Sequence, residues 1–141
     1  MSADRNIQVV KDAYAAFLRG DIAALLESLT DDVEWEGVKG TEGTLPQAGL
    51  RRGKAEVVRF FQEVDSTTQF DRFEPREFVA QGDTVVVIGM YSGIAKANGQ
   101  RAGSDWVMVF NMRDGKVARF REFCDSAALV RAYGGVLVQT S

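Results

Sequence analysis

The sequence predicts an α+β fold: three helices first, then a curved antiparallel sheet, then a short C-terminal helix. Three observations predict it. Apolar residues recur at helical spacing up to about residue 64. After Asp65-Ser66-Thr67 the period changes from helical to extended. Asn98-Gly99 and Asp114-Gly115 then separate apolar, β-branched and aromatic runs, which is a strong short-range hairpin signal.

Residues 4–19 read as the first helix, with Ile7, Val10, Tyr14, Phe17 and Leu18 on one face. Ser2 or Asp4 caps it, and Gly20 suits a left-handed residue after its end. Asp21 caps a second, short helix with Ile22, Leu25, Leu26 and Leu29 as its apolar face, ended by Thr30-Asp31-Asp32. Val33–Glu36 follows as a short strand, with Trp35 facing opposite to Glu34 and Glu36. Gly37–Arg52 is a long Gly-rich loop, either a surface connector or a pocket lid. Gly53–Val64 is the third helix and carries Phe60 and Phe61.

Gln69–Ala80 is a strand interrupted by Pro75, which points to an edge or a bulge. Gln81-Gly82-Asp83 turns the chain. Thr84–Ile94 is the most apolar strand, expected to be buried on both faces for part of its length. Asn98-Gly99 is expected to make a type I′ turn. The long hairpin comes next: Ser104–Met112, the turn Arg113-Asp114-Gly115, and Lys116–Cys124. Asp125 or Ser126 caps a last helix, Ala127–Tyr133, stopped by Gly134-Gly135, and Val136–Val138 is apolar enough to add a strand or dock on a partner. The whole chain, 1–141, reads as one domain with residues 134–141 as a tail.

Composition narrows the function. Hydrophobic residues are 45% and charged residues 26%, enough for a real core and against long disorder. The net charge of −3 with mixed signs lacks the basic footprint of a nucleic-acid binder. No apolar run reaches the roughly 20 residues that span a membrane. MSADRN has no apolar core of a secretory signal. The single cysteine, Cys124, forms no internal disulfide and suits a reducing cytoplasm. The absence of histidine removes Ser-His and Cys-His nucleophiles and His-ligated metal sites, and no cofactor is expected. Acid–base chemistry near neutral pH therefore needs a shifted carboxyl, Lys or Tyr.

YAAFLRGDIAALLESLTDDVEW (Tyr14–Trp35), RRGKAEVVRFF (Arg51–Phe61) and MRDGKVARFREFCDSAAL (Met112–Leu129) together resemble the SnoaL-like, ketosteroid-isomerase-like branch of the NTF2-like superfamily. The resemblance spans about residues 6 to 131. It implies a cone-shaped domain, usually a homodimer, here expected through the sheet, with a mostly apolar pocket. Activities in the superfamily include ketosteroid isomerases, polyketide cyclases and limonene-epoxide-type hydrolases. The isomerase base falls at Gly37, its first oxyanion donor at Ala13 beside Tyr14, and its second at Met108. Of the hydrolase group, the arginine falls at Gly89, the first aspartate at Tyr91, the water-holding pair at Trp35 and Gly37, and the last aspartate at Glu122. Both catalytic sets are therefore incomplete, and Glu122 is where a family acid survives.

These alignments place Trp35, Gly37, Gly89, Tyr91, Met108 and Glu122 toward the cavity. Strand alternation adds Trp106, Phe110 and Phe120, and Phe61 joins them as a ligand-binding candidate. The expected partner is a small hydrophobic, cyclic molecule, with no nucleic acid and no membrane. Glu122 is the candidate acid or base, with Tyr91 and Tyr14 as donors, in isomerase, cyclase or hydrolase chemistry without a metal. Two rival readings stay open: a non-catalytic binder of a hydrophobic ligand, and a protein-interaction module using the convex sheet. Glu122 has an alternative too, a structural ion pair with Arg119, Arg121 or Arg101. Asp105 is expected on the dimer or solvent side, with Arg101 as its partner, and Arg51-Arg52 borders the loop as a solvated charge pair or an anchor for an acidic ligand group. Cys124 reads as a buried filler and Asp31-Asp32 as turn chemistry.

Overall fold

The structure, a computed structural model, describes residues 2–134. The expected apolar tail at Val136–Val138 and the glycine stop at Gly135 lie outside those residues. Helix α1 spans Ala3–Leu18, capped by the Ser2 hydroxyl, which accepts from the Arg5 N–H. Helix α2 is only Ile22–Glu27, with Asp21 as its cap. The expectation that α2 runs through Leu29 and that Thr30-Asp31-Asp32 ends it is corrected: these residues already belong to strand β1, Leu29–Gly37. Leu29 is buried as a strand residue, aligned with Val117.

The Gly-rich stretch is a loop only in part, which corrects its expected span. Gly49–Arg52 forms strand β2, pairing antiparallel with β1 from Glu34↔Arg52 to Gly37↔Gly49. Helix α3 then covers Lys54–Thr67, one turn beyond the predicted end. Strand β3 is Thr68–Gln81, β4 is Thr84–Ala95, β5 is Arg101–Arg113 and β6 is Lys116–Cys124. Helix α4, Ser126–Ala132, is capped by the Asp125 carboxylate, which accepts from the Ala128 N–H.

The six strands form one sheet in the order β2-β1-β6-β5-β4-β3. It is not wholly antiparallel, because β1 runs parallel to β6. A parallel neighbour needs a long crossover, and β2, α3 and the β3–β5 meander supply it. Pro75 sits on the edge strand β3, where a missing N–H is tolerated, and the register shifts beside it. Both anticipated reasons for a proline in that strand hold.

The two hairpin turns differ. Asp114 (φ 53°) and Gly115 (φ 78°) are both left-handed, as type I′ requires. At the β4–β5 turn only Gly99 (φ 71°) is left-handed, so the type I′ expectation there is corrected. The turn is longer, closed by the Ala95 N–H to Gln100 carbonyl bond, and the Asn98 amide reaches out to the Ala132 carbonyl of α4.

β4 is buried on one face, not two. Val85, Val87 and Tyr91 are buried, whereas Ile88 is 39% exposed and Val86 and Met90 are half-buried. Helices α1 and α3 cover the inner face of the sheet, and one hydrophobic cluster joins them to all the longer strands. The outer face keeps apolar residues open to solvent, Ile88 and Phe123 among them. No helix among the described residues is long and apolar enough to cross a membrane.

Candidate active site

The β5–β6 hairpin is the floor of the site. Its tight turn pairs Arg113 with Lys116 and Met112 with Val117, and a bulge between Asn111 and Met112 then shifts the register so that Met108 stands opposite Glu122 and Phe110 opposite Phe120. Alternation then sends these four side chains to the inner face and Arg119, Arg121 and Phe123 to the outer one. Strand β1 brings Trp35 alongside Phe120, and the two rings stack with centroids 3.9 Å apart. Strand β4 brings Tyr91.

These residues enclose a cavity of about 90 Å³, measured as the space open to the centre of a water-sized sphere, several times what one water needs. Eleven of the lining side chains are aromatic. Among the described residues, Glu122 is the only ionisable group of either sign lining it, tyrosines aside. It is 4% exposed, yet among the described residues it has no cationic partner. Its Oε2 accepts from the Tyr91 hydroxyl at 3.0 Å and its Oε1 from the Val38 N–H at 3.2 Å. The ion-pair reading is thus corrected. Arg101 binds Asp71 at 2.6 Å, which also leaves Asp105 without the partner expected for it, and Arg119 and Arg121 face away. Burial lifts the Glu122 carboxyl above its ordinary range, and the two hydrogen bonds offset part of that rise.

The loop after β1 closes over the carboxyl. Val38 adopts φ 44°, a left-handed conformation rare for a β-branched residue. Its N–H reaches the Glu122 side chain, and the next N–H, of Lys39, reaches the Glu122 carbonyl at 3.0 Å. Turns at Thr41–Leu45 and Leu45–Ala48 follow, burying Leu45 and Gln47. Val38 and Gln47 line the cavity, so this segment is a wall of the pocket and not a free connector. Arg51 lies outside the wall, bound to Glu63 at 2.5 Å and to the Pro46 carbonyl at 2.8 Å.

Of the candidates, Glu122, Tyr91, Tyr14, Trp35 and Phe61 line the cavity, as do Met108, Phe110 and Phe120. Gly37 and Trp106 do not. A Cβ on Gly37 would stand 2.4 Å from the Phe60 ring, so the missing side chain is filled by Phe60. Gly89 is likewise covered: its cross-strand partner Trp106 lays its indole where a Cβ would be, 2.5 Å away. Trp106 is 1% exposed and supports Tyr14 from beneath, with ring centroids 5.9 Å apart. Tyr14 donates its hydroxyl to the Met108 Sδ at 3.0 Å, a weak acceptor for a phenol.

Sequence reasoning missed several wall residues. Phe70 and Phe73 are three apart in a strand, and simple alternation sets them on opposite faces. A bulge between Phe70 and Arg72 returns both to the cavity. Phe60 is visible on α3 in the sequence, but its role in filling Gly37 is not. Tyr133 and Gln47 carry no sequence signal. Tyr133 caps α4 and hydrogen-bonds the Thr68 hydroxyl at the wall.

Burial also pushes the Tyr14, Tyr91 and Tyr133 hydroxyls up, and pushes the Cys124 thiol up to about 12. Cys124 is half-buried beside Tyr91 and Glu122. Among the described residues, no three His, Cys, Asp or Glu side chains converge as a metal site would need. The arrangement offers a carboxyl that holds its proton to higher pH than a solvated one and a phenol free to find a better acceptor.

The comparisons with known proteins agree on the fold. An NTF2-like protein of Burkholderia xenovorans is 38% identical, covering 94% of this chain and 98% of its own, with a TM-score of 0.84. TerC, in a crystal structure with polyporic acid, is 32% identical over 93% of this chain and 99% of its own, with a TM-score of 0.82. An uncharacterised protein of Mycobacterium tuberculosis is 25% identical over 94% of this chain and 98% of its own. The model of the SnoaL-like domain matches residues 10–120. With that match covering most of the chain, this protein belongs to the SnoaL-like domain family, with an NTF2-like fold.

Proposed function

We propose that this chain is an acid–base enzyme acting on a small hydrophobic cyclic molecule, of isomerase, cyclase or hydrolase type. One observation carries the reading: a carboxyl buried in an aromatic cavity, held by two neutral donors and by no cation. Such a group exchanges protons closer to neutrality than a solvated carboxyl does. Glu122 is then the acid or base. Tyr91, whose hydrogen is already given to Glu122, positions it. Tyr14 is the donor to a substrate oxygen, exchanging the Met108 sulfur for a stronger acceptor. The co-crystal of TerC with polyporic acid supports a small-molecule role for the pocket.

The test is turnover. A panel of cyclic enones, epoxides and hydroxyketones is screened with the wild-type chain, and Glu122→Gln is assayed on any compound converted. A fall of at least about 100-fold is expected for loss of a general acid or base. Full turnover by a folded Glu122→Gln chain removes Glu122 from the chemistry.

A second reading has its own observation. Both Glu122 oxygens already accept hydrogen bonds, as suits a fixed recognition group. A compound recovered unchanged from the purified protein, with no conversion of its analogues, identifies a binding protein instead. We further propose a homodimer through the outer sheet face, where Val79, Ile88 and Phe123 are exposed. Val79→Lys with Ile88→Lys is expected to give monomers in sedimentation equilibrium. An unchanged assembly places the contact elsewhere.

A further inference from the structure

We propose that the preferred ligand of the cavity carries an amine, recognised as an organic ammonium ion by Glu122 and the surrounding rings. This rests on the reading of the cavity as a small-molecule site and adds the charge of the molecule that enters.

The cavity has one formal charge to offer, and it is negative. Among the described residues no lysine or arginine lines it, and the chain contains no histidine. The basic groups nearby are turned away or held. Arg51 stands behind the Phe60 ring with its guanidinium on Glu63, and Arg101 is fixed by Asp71. Arg119 and Arg121 project from the other face of β6. An anionic ligand would therefore lose its water and meet no countercharge. A neutral ligand would leave the carboxyl as it is.

A ring amine matches what is present. Its ammonium meets the Glu122 carboxylate. Aromatic π faces attract cations, and more so where water is excluded. The Tyr14 hydroxyl oxygen and the Met108 sulfur add lone pairs across the cavity. The Tyr91 hydroxyl and the Val38 N–H fix the carboxylate in advance, so its orientation is not paid for on binding. The other titratable groups around Glu122 are Tyr91 on β4, Tyr14 on α1, Tyr133 after α4 and Cys124 on β6. All are held in their neutral forms by burial, so none competes for the cation.

The experiment compares three probes of one shape on the full chain by calorimetry at pH 7.5: 2-phenylethylamine, 2-phenylethanol and phenylacetate. The amine is expected to bind about 10-fold tighter than the alcohol and about 100-fold tighter than the acid. In Glu122→Gln the amine preference over the alcohol is expected to vanish, while the alcohol changes less than about threefold. Should that variant fail to fold, the wild type is titrated in half-unit steps downward from pH 7.5, and the amine is expected to weaken relative to the alcohol as Glu122 takes up its proton. Equal or tighter binding of the alcohol or the acid at pH 7.5 overturns the proposal. So does an amine preference that survives either loss of the charge. None of the probes needs to be converted, so a failure here is separate from a failure of the catalytic reading, which is judged by turnover alone.

Discussion

Glu122→Gln keeps the shape of the side chain and removes its charge, so it isolates what the buried carboxyl does to stability. In the folded chain burial lifts this carboxyl above its ordinary value of 4.5. A folded chain that holds its proton longer binds more protons than the unfolded chain over that interval. Stability then falls as pH rises. The contribution is fully present below about 4.5, declines as pH rises through the folded value, and stays lost beyond it. One group is involved, so the slope cannot exceed 2.303RT, about 1.4 kcal/mol per pH unit. Gln does not titrate at all. Asp32, Asp71 and Glu74, each held low by hydrogen bonds from neighbouring side chains, are common to both chains and cancel in the difference. Urea unfolding of both proteins in half-unit steps from pH 4.5 to 9 gives the curve. The wild-type advantage over Glu122→Gln is expected to be greatest at the acid end, to shrink with rising pH, and then to level. A difference that is flat with pH, or that grows toward alkaline pH, would refute the claim that burial dominates at Glu122.

Three further outcomes are expected. Gly37→Ala forces a Cβ to within 2.4 Å of the Phe60 ring; overpacking of this kind costs about 1–3 kcal/mol, which calorimetry reads as a melting point lower by roughly 3–10 °C. An unchanged melting point would mean that Phe60 swings aside freely. Tyr91→Phe leaves Glu122 Oε2 without its donor and lowers stability by about 1–3 kcal/mol at pH 8. Because that bond pulls the carboxyl down, its loss also extends the falling part of the pH–stability curve to higher pH. Cys124, with its thiol pushed up to about 12, is expected to react with iodoacetamide at pH 7.5 at least about 100-fold more slowly than free cysteine, and a rate near that of free cysteine refutes its burial beside Tyr91 and Glu122.

Most of the fold was legible because its signals are local. Asp114-Gly115 between two apolar runs marks the β5–β6 hairpin and its first pairs, and alternation along each arm groups Met108 with Phe110 and Phe120 with Glu122; the bulge beside Met112 that brings these pairs opposite one another carries no mark in the sequence. The features that were not legible depend on partners distant in sequence. Gly49–Arg52 is a strand only because Glu34–Gly37 lies beside it, and its Gly-Leu-Arg-Arg carries little strand preference of its own. Leu29 fits a helix face and a strand equally well until Val117 is known to lie alongside. Phe70 and Phe73 share a face through a bulge, and nothing in Phe-Asp-Arg-Phe marks one. In the site, carrying family positions across placed Gly37 and Gly89 correctly on the inner face. It could not show that Phe60 and Trp106 had filled the space that their missing side chains leave.

The departures from ordinary folding rules gather around Glu122, and that is the strongest physical ground for a function there. Val38 holds a left-handed backbone, a strain on the order of 1–3 kcal/mol, one residue from a glycine that accommodates Phe60. The N–H of that strained residue is one of the two donors to the buried carboxyl. The Trp35 indole N–H and the Gln47 carbonyl oxygen, both in the same wall, have no hydrogen-bond partner. A core selected only for stability would replace Glu122 by an apolar residue of similar size and relax Val38 at the same time. The surface shows ordinary chemistry by contrast, with exposed pairs such as Arg113–Asp32 and Arg101–Asp71. Asn6, Thr30, Trp106 and Arg121 also hold buried polar atoms without a partner, and none of these four lines the cavity. Backbone strain and a buried carboxyl without a cation, meeting at one aromatic cavity, are what a site retains when its chemistry, and not its packing, is under selection.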